Sequence, residues 1–382
     1  MDSHINDDEF TNEKGNLSMK HRERVEMALN HEVPDRIPYQ ATFTPEFADR
    51  LRKELNITNP NPHDPHSGRW NTYELEIATG QDALQCSIGW VTGYYMDTKP
   101  YVDEWGVQWA VQDYETPYGK GYYTELRDGP LKDADAIDSY QPPDPHRPEI
   151  YQNLQRLIRE YKDEFYIIGR LHTTIWETAW ALRGFQQMLL ELALDPDLVN
   201  RVLDIPFNYH LVVAKKMVET GVDMVWLGDD MGGQNSMIMS PKTWRQFFKE
   251  RMATIIAEIK SINPNIKVAY HTDGNNYPII PDLIEIGMDV LNPIQAECMD
   301  PAKLKKDFGN NLCFFGAIDV QSTLPFGTPA AVEAEVLERM RTIGKGGGWL
   351  CAPTHHIQLD TPMENFWALV NTIKNTPYTS ER

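Results

Sequence analysis

The sequence predicts an α/β protein, a TIM-like (β/α)8 barrel with an N-terminal helical segment and a β-hairpin insertion. Three observations carry this. An apolar run, a polar tip and an amphipathic stretch recur in that order, which is how a parallel strand, its loop and a crossover helix read. At least five successive runs end in His, Asp, Asn or Gln, and a barrel gathers such strand ends around one mouth. Between residues 97 and 127 the pattern changes: Trp105, Val107, Trp109 and Val111 alternate with polar residues, and TPYGKGYYTEL supplies a glycine turn and a returning strand.

Taken in order, residues 1–18 read as a disordered acidic tail, 19–376 as one barrel domain and 377–382 as a C-terminal tail. Val25, Ala28 and Leu29 share one face of a charged helix over 19–31, which Pro34 stops before Asp35-Arg36-Ile37-Pro38-Tyr39 opens a first strand. Thr44-Pro45-Glu46 starts a second helix. The Pro- and Asn-rich residues 56–68 read as loop, with His63 and His66 solvated. A helix near 69–80 precedes the run DALQCSIGW, which ends at Trp90. After the hairpin, Pro-rich QPPDPHRP leads to a helix at about 148–162.

The barrel units are clearest from there. The run 165–171 ends in His172, with Trp176, Glu177 and Trp180 following, and helices over 184–194 and 196–219 lead to the run 222–228 and its tip, Asp229-Asp230. Ser240-Pro241 caps a long helix whose stripe from Trp244 to Ile259 is core packing. The strand 266–270 delivers His271 and Asp273. Residues 288–293 deliver Asn292, Gln295 and Cys298; 312–318 deliver Asp319 and Gln321; 348–353 deliver His355, His356 and Gln358, before a last helix over 363–373.

Composition excludes several classes. No window approaches ~18 uninterrupted apolar residues, so no membrane span is expected, and the acidic start lacks the order of a secretory signal, which points to a cytoplasmic protein. A net charge of −20 argues against nucleic acid. Cys86, Cys298, Cys313 and Cys351 form no CxxC pair and read as small buried hydrophobes.

Two chemistries fit the strand ends. His271 and Asp273, two apart at the start of one loop, would form a facial metal set with His355 from a later strand end. The plainer alternative makes the histidines hydrogen-bonded loop residues and Asp273 a turn-former before Gly274; by spacing alone it is preferred, because H-x-D is a weak motif. Asp229 and Asp230 are adjacent and face different ways, so one points into the mouth and the other caps the segment after it. Asp230 is the acid or histidine orienter. Trp90, Tyr94, Tyr95, Trp176 and Trp180 are candidates for an aromatic pocket wall.

RERVEMALNHEVPDRIP, GDDMG, HTDGN, NPIQAECMDPAKLK, FFGAID and APTHHIQLDTPMEN, spread over residues 19–376, together resemble the uroporphyrinogen decarboxylase superfamily, and more narrowly its branch of cobalamin-dependent methyltransferases from anaerobes. The true decarboxylases carry an N-terminal MRQAGR-type arginine motif and a strand-end aspartate after it; PDRIPYQATFTPEF and DALQCSIGW have neither. The methyltransferases hold zinc with a His-x-Cys pair and a later Cys. Position by position that set becomes His271, Asp273 and His355, a harder donor set suited to an oxygen-bearing methyl donor or acceptor.

The resemblance implies a corrinoid-dependent methyltransferase that moves a methyl group between a small methylated substrate, such as a methyl ether, and the cobalt of a separate corrinoid protein. It implies zinc at His271, Asp273 and His355, acid assistance from Asp230, His172 or His271, and a homodimer. Trp176, Glu177, Asn292, Gln295, His356 and Gln358 are candidate substrate contacts by strand-end position. A lyase acting on another carboxylated substrate and a non-catalytic tetrapyrrole or corrinoid binder remain as alternatives.

Overall fold

Seven apolar runs form one curled parallel sheet in the order β1 (Ala83–Ser87), β5 (Tyr166–Arg170), β6 (Met224–Gly228), β7 (Lys267–His271), β8 (Val290–Asn292), β9 (Cys313–Ile318) and β10 (Trp349–Pro353). Between them in sequence, β2 (Tyr101–Val102), β3 (Gln108–Thr116) and β4 (Gly119–Asp128) make a separate antiparallel sheet. The structure is a computed structural model and describes residues 19–58, 72–88 and 99–378. The expected acidic tail, His63, His66, Trp90, Tyr94 and Tyr95 lie outside the described residues, as do residues 379–382.

The central strands are buried on both faces, which is why they read as continuous apolar runs. Side chains still alternate between two cores. One face packs outward against the helices. The other fills the inside of the curl with Tyr166, Ile168, Met224, Trp226, Ala269, Val290, Phe315 and Leu350. Two residues further along the same faces come Arg170, His271 and Asn292, at the C-terminal strand ends. The sheet's alternation therefore aims these three polar side chains into the mouth.

The opposite end is closed by the first helix, His21–Leu29, whose Val25 and Leu29 enter the inner core. Charges staple it there. Buried Asp82, just before β1, accepts from Arg24 Nη1 at 2.6 Å, from Arg36 at 2.7 and 2.8 Å and from the Tyr39 N–H at 2.9 Å, and its Oδ1 lies 2.8 Å from His21 Nδ1. Arg22 reaches Asp223 through two bonds, at 2.6 and 2.8 Å.

The expected first strand is not a strand. Residues 37–43 lie along the free edge of β10, with Cys351 N–H donating to Pro38 O and Gln40 N–H to Cys351 O, but only Tyr39 and Phe43 form isolated bridges. On the β1 side the N–H groups of Tyr39 and Ala41 are taken by the side chains of Asp82 and Gln81. No ladder forms because its donors are already used. The described residues thus hold seven parallel strands where eight are expected. The helix expected after Ser240 is also modified: its second turn, Arg245–Lys249, is a π-helix that sets both Phe247 and Phe248 into the core.

The inserted hairpin matches its expected place. Trp105 at its base packs on Tyr209, with ring centroids 4.8 Å apart. Near its turn Tyr122 N–H donates to Glu46 Oε1 at 2.9 Å, and the Arg50 guanidinium lies 4.1 Å over Tyr118.

Candidate metal centre

His271 ends β7 and is 8% exposed. Its Nδ1 lies 2.6 Å from Asn292 Oδ1, the next strand's last residue, while Asn292 Nδ2 donates to Phe315 O at 2.8 Å. The second bond fixes the amide, so its oxygen faces the imidazole and Nδ1 carries the proton. Nε2 is left as a lone pair directed at two carboxylates: Asp230 Oδ1 at 3.8 Å and Asp273 Oδ1 at 4.0 Å. Donor atoms of all three residues fall within 4.8 Å of one another.

The two loops carrying the carboxylates are locked together. Asp273 N–H donates to Asp230 Oδ1 at 2.8 Å, and Asn275 N–H to Gly233 O at 2.9 Å. A Cβ at Gly274, whose φ is +77°, would lie 2.6 Å from both Gly232 C and Gly233 O, so only glycine permits this approach. Gln295 Oε1 accepts Gly274 N–H at 2.6 Å and holds the loop from the other side.

Asp229 does different work. Its carboxylate accepts from the N–H groups of Ile175 at 2.7 Å, Glu177 at 2.9 Å and Thr174 at 3.3 Å, at the start of the helix Trp176–Arg183. It caps the helix of the preceding unit, not the segment after itself, and so places Glu177. Burial pushes its carboxyl up to about 7, opposed by those N–H bonds.

Negative charge is crowded here. Burial, then Asp230, Asp229 and Asp273, holds Glu177 well above the usual carboxylate range. Burial and then Asp230 do the same to Asp273. Burial lowers His271, keeping it neutral, although Asp230 favours its charged form. Asp273 Oδ1 is buried with no hydrogen-bond partner. A neutral imidazole lone pair, two carboxylates and an orphaned buried oxygen are what a divalent cation would satisfy. The 3.8 and 4.0 Å separations from Nε2 exceed the roughly 3.3 Å edge of a zinc tetrahedron with ~2.0–2.1 Å bonds by about 0.5–0.7 Å. The residues fit the ion with small adjustments.

Asp230, expected as an acid, lies in the three-residue group with His271 and Asp273, and His355 does not. His355 is exposed, and its ring centroid lies 6.5 Å from that of His271. Buried His356 lines the cavity before His271 together with Arg170, Trp226 and Asn292. Asn292 and Gln295, expected as substrate contacts, hydrogen-bond His271 and the Gly274 loop, and Asn292 also lines that cavity. Trp176 is fully buried against Phe248 in the outer core, away from the mouth. Gln358 is exposed, and half-buried His172 stands outside the three-residue group. Asp319 accepts the N–H groups of Gln321, Ser322 and Thr323 and orders its own loop. Arg170 escapes the sequence reading; its one signal is a charge closing an otherwise apolar strand.

A parallel α/β sheet with His, Asp and Asn converging at its C-terminal strand ends is the architecture of a barrel-type enzyme. The chain belongs to the uroporphyrinogen decarboxylase (URO-D) family, whose model matches residues 112–376. Among curated relatives it is 24% identical over 254 residues to a uroporphyrinogen decarboxylase of Trichodesmium erythraeum, covering 65% of this chain and 69% of the relative. It is 30% identical over 174 residues to the methylcobamide:CoM methyltransferase MtaA of Methanosarcina barkeri, covering 46% of this chain and 48% of that protein. It is 23% identical over 230 residues to a methylated-thiol–coenzyme M methyltransferase of Methanosarcina mazei, covering 60% of this chain and 59% of the relative. The chain therefore spans only about half to two thirds of these relatives. A solved methyltransferase from Methanosarcina mazei shares the fold with TM-score 0.66 and 21% identity, over 94% of this chain and 99% of that one.

Proposed function

We propose that this protein is a zinc-dependent methyltransferase that exchanges a methyl group between a small methylated substrate and the cobalt of a corrinoid carried by a partner protein. The observation that carries this reading is the Asp230–His271–Asp273 group at the mouth. The methyltransferases among its relatives support it, one of them by a name that specifies methylcobamide. The decarboxylase reading has the N-terminal segment against it: PDRIPYQATFTPEF lacks the arginine cluster that would grip a substrate bearing many carboxylates.

Bound at these residues, zinc would supply a positive charge next to the substrate heteroatom that carries the methyl group. The chain's own contribution is positional and protic. Asn292 keeps the His271 lone pair facing outward, and Gln295 with Gly274 holds Asp273 opposite Asp230. In transfer from a methyl ether, the methyl group would pass to the partner's reduced corrinoid as the C–O bond breaks. The bonding pair stays on oxygen, which takes a proton. Glu177, whose carboxyl is pushed above the usual range by burial and then by Asp230, Asp229 and Asp273, is the candidate acid for that step. The full reaction cavity also involves the partner, whose corrinoid would dock over the strand ends.

The test is anaerobic incubation of the protein with cob(I)alamin and a panel of methyl ethers and methylated thiols, following the cobalamin spectrum. Methylcobalamin should form with at least one donor and fall about 100-fold or more in His271→Ala. Absence of transfer from every donor and to every thiol acceptor, with the protein folded and zinc supplied, would overturn the reading.

A further inference from the structure

Below the metal group, inside the curl, sits a cation that the proposed chemistry does not use. Arg170 is 6% exposed. Its guanidinium lies over Trp226, with Cζ 3.5 Å from the ring centroid, and His271 meets the same ring edge-on at 5.0 Å and 86°. Trp226 is therefore a shared floor beneath both groups. No ion pair or side-chain hydrogen bond joins the guanidinium to any described residue, and Nε is buried without a partner. Glu177, Asp230 and Asp273 act on it only through space, outside ion-pair contact.

A buried guanidinium with an empty donor fork is costly unless something occupies the fork. It also borders a cavity that it shares with His271, Asn292 and the buried side chain of Gln40. That cavity measures about 30 Å³, room for roughly two water-sized groups at ~10–15 Å³ each, which is the size of a carboxylate head. Planar, bidentate recognition of a carboxylate is what the fork of an arginine does best.

We infer that Arg170 anchors a single carboxylate on the substrate, so that the methyl group exchanged belongs to a small methylated carboxylic acid. Its acid end rests on the guanidinium, and its methyl-bearing heteroatom reaches the Asp230–His271–Asp273 group across Trp226. The identity of the methyl-bearing end rests on the proposed methyltransferase reading; the carboxylate anchor does not.

The experiment is calorimetric titration of the full chain with methoxyacetate and with its neutral counterpart 2-methoxyethanol, in the parent protein, Arg170→Gln and Arg170→Lys. The parent should bind methoxyacetate at least 10-fold more tightly than 2-methoxyethanol. Arg170→Gln should weaken methoxyacetate roughly 10- to 100-fold, with Arg170→Lys intermediate. Equal binding of the two compounds by the parent, or methoxyacetate binding unchanged in Arg170→Gln, would overturn the proposal. The parent comparison decides even if the variants do not fold. Methyl transfer to cob(I)alamin separates the two readings. An anion preference without transfer from any donor leaves the anchor standing and removes the methyltransferase. Transfer from 2-methoxyethanol with the same kcat/KM as from methoxyacetate does the reverse.

Discussion

Asp229 and Asp230 are neighbours with opposite duties, and their separation is the sharpest residue-level consequence of the structure. Asp229→Ala removes the acceptor of three N–H groups and should cost about 2 kcal/mol in urea unfolding. Asp230→Ala removes the acceptor of the Asp273 N–H and should cost about 1 kcal/mol, but abolish metal binding. Asn292→Ala frees the His271 ring and should weaken metal affinity about 10- to 100-fold in a competition titration, without removing a ligand. That the two aspartates face different ways is legible in extended-chain geometry. Which one faces the mouth is not, because it depends on where the preceding helix places its unpaired N–H groups. His355 illustrates the same limit. Its strand end is legible, but a residue's exposure beyond a strand depends on loop conformation that no periodicity encodes.

At the scale of elements, double burial made the strands easy to read and their ends uncertain by a residue or two, as with His271, which closes β7 instead of opening its loop. The segment 37–43 was illegible as a non-strand because side chains from Gln81 and Asp82, distant in sequence, consume its donors. Asp82 also sets an acid limb of stability. Burial alone would raise its carboxyl, but His21, Arg36 and Arg24 pull it down to about 2. Since the folded value is depressed below the ordinary 3.8, the stabilisation is present above pH ~4 and is lost as the pH falls from there through the folded value. The shift corresponds to about 2 kcal/mol. Asp82→Asn should therefore flatten the decline in urea midpoint between pH 4 and 2. At neutral pH it should cost about 3–5 kcal/mol, because two guanidinium groups lose a buried partner.

For the whole molecule, the parallel sheet, the insertion and the location of chemistry at the C-terminal strand ends were all legible from repeated strand-tip-helix grammar. The inner plug was not, since nothing in the amphipathic pattern of His21–Leu29 says that its apolar face enters the curl. The molecule thus has a sealed end held by Asp82 and Asp223, and a working end with crowded carboxylates. Binding of a divalent ion at the working end should stabilise the entire fold. At a free zinc concentration about 100 times Kd the gain is about 2.7 kcal/mol, seen as a rise of a few degrees in melting temperature that disappears in His271→Ala.

The most direct test of the Asp230–His271–Asp273 centre is metal analysis of the purified protein after zinc loading and desalting, with Asp230→Ala, His271→Ala and His355→Ala alongside. The structure predicts about one zinc per chain in the parent and in His355→Ala, and none in the other two. A parent without zinc, or zinc retained in Asp230→Ala and lost in His355→Ala, would contradict it.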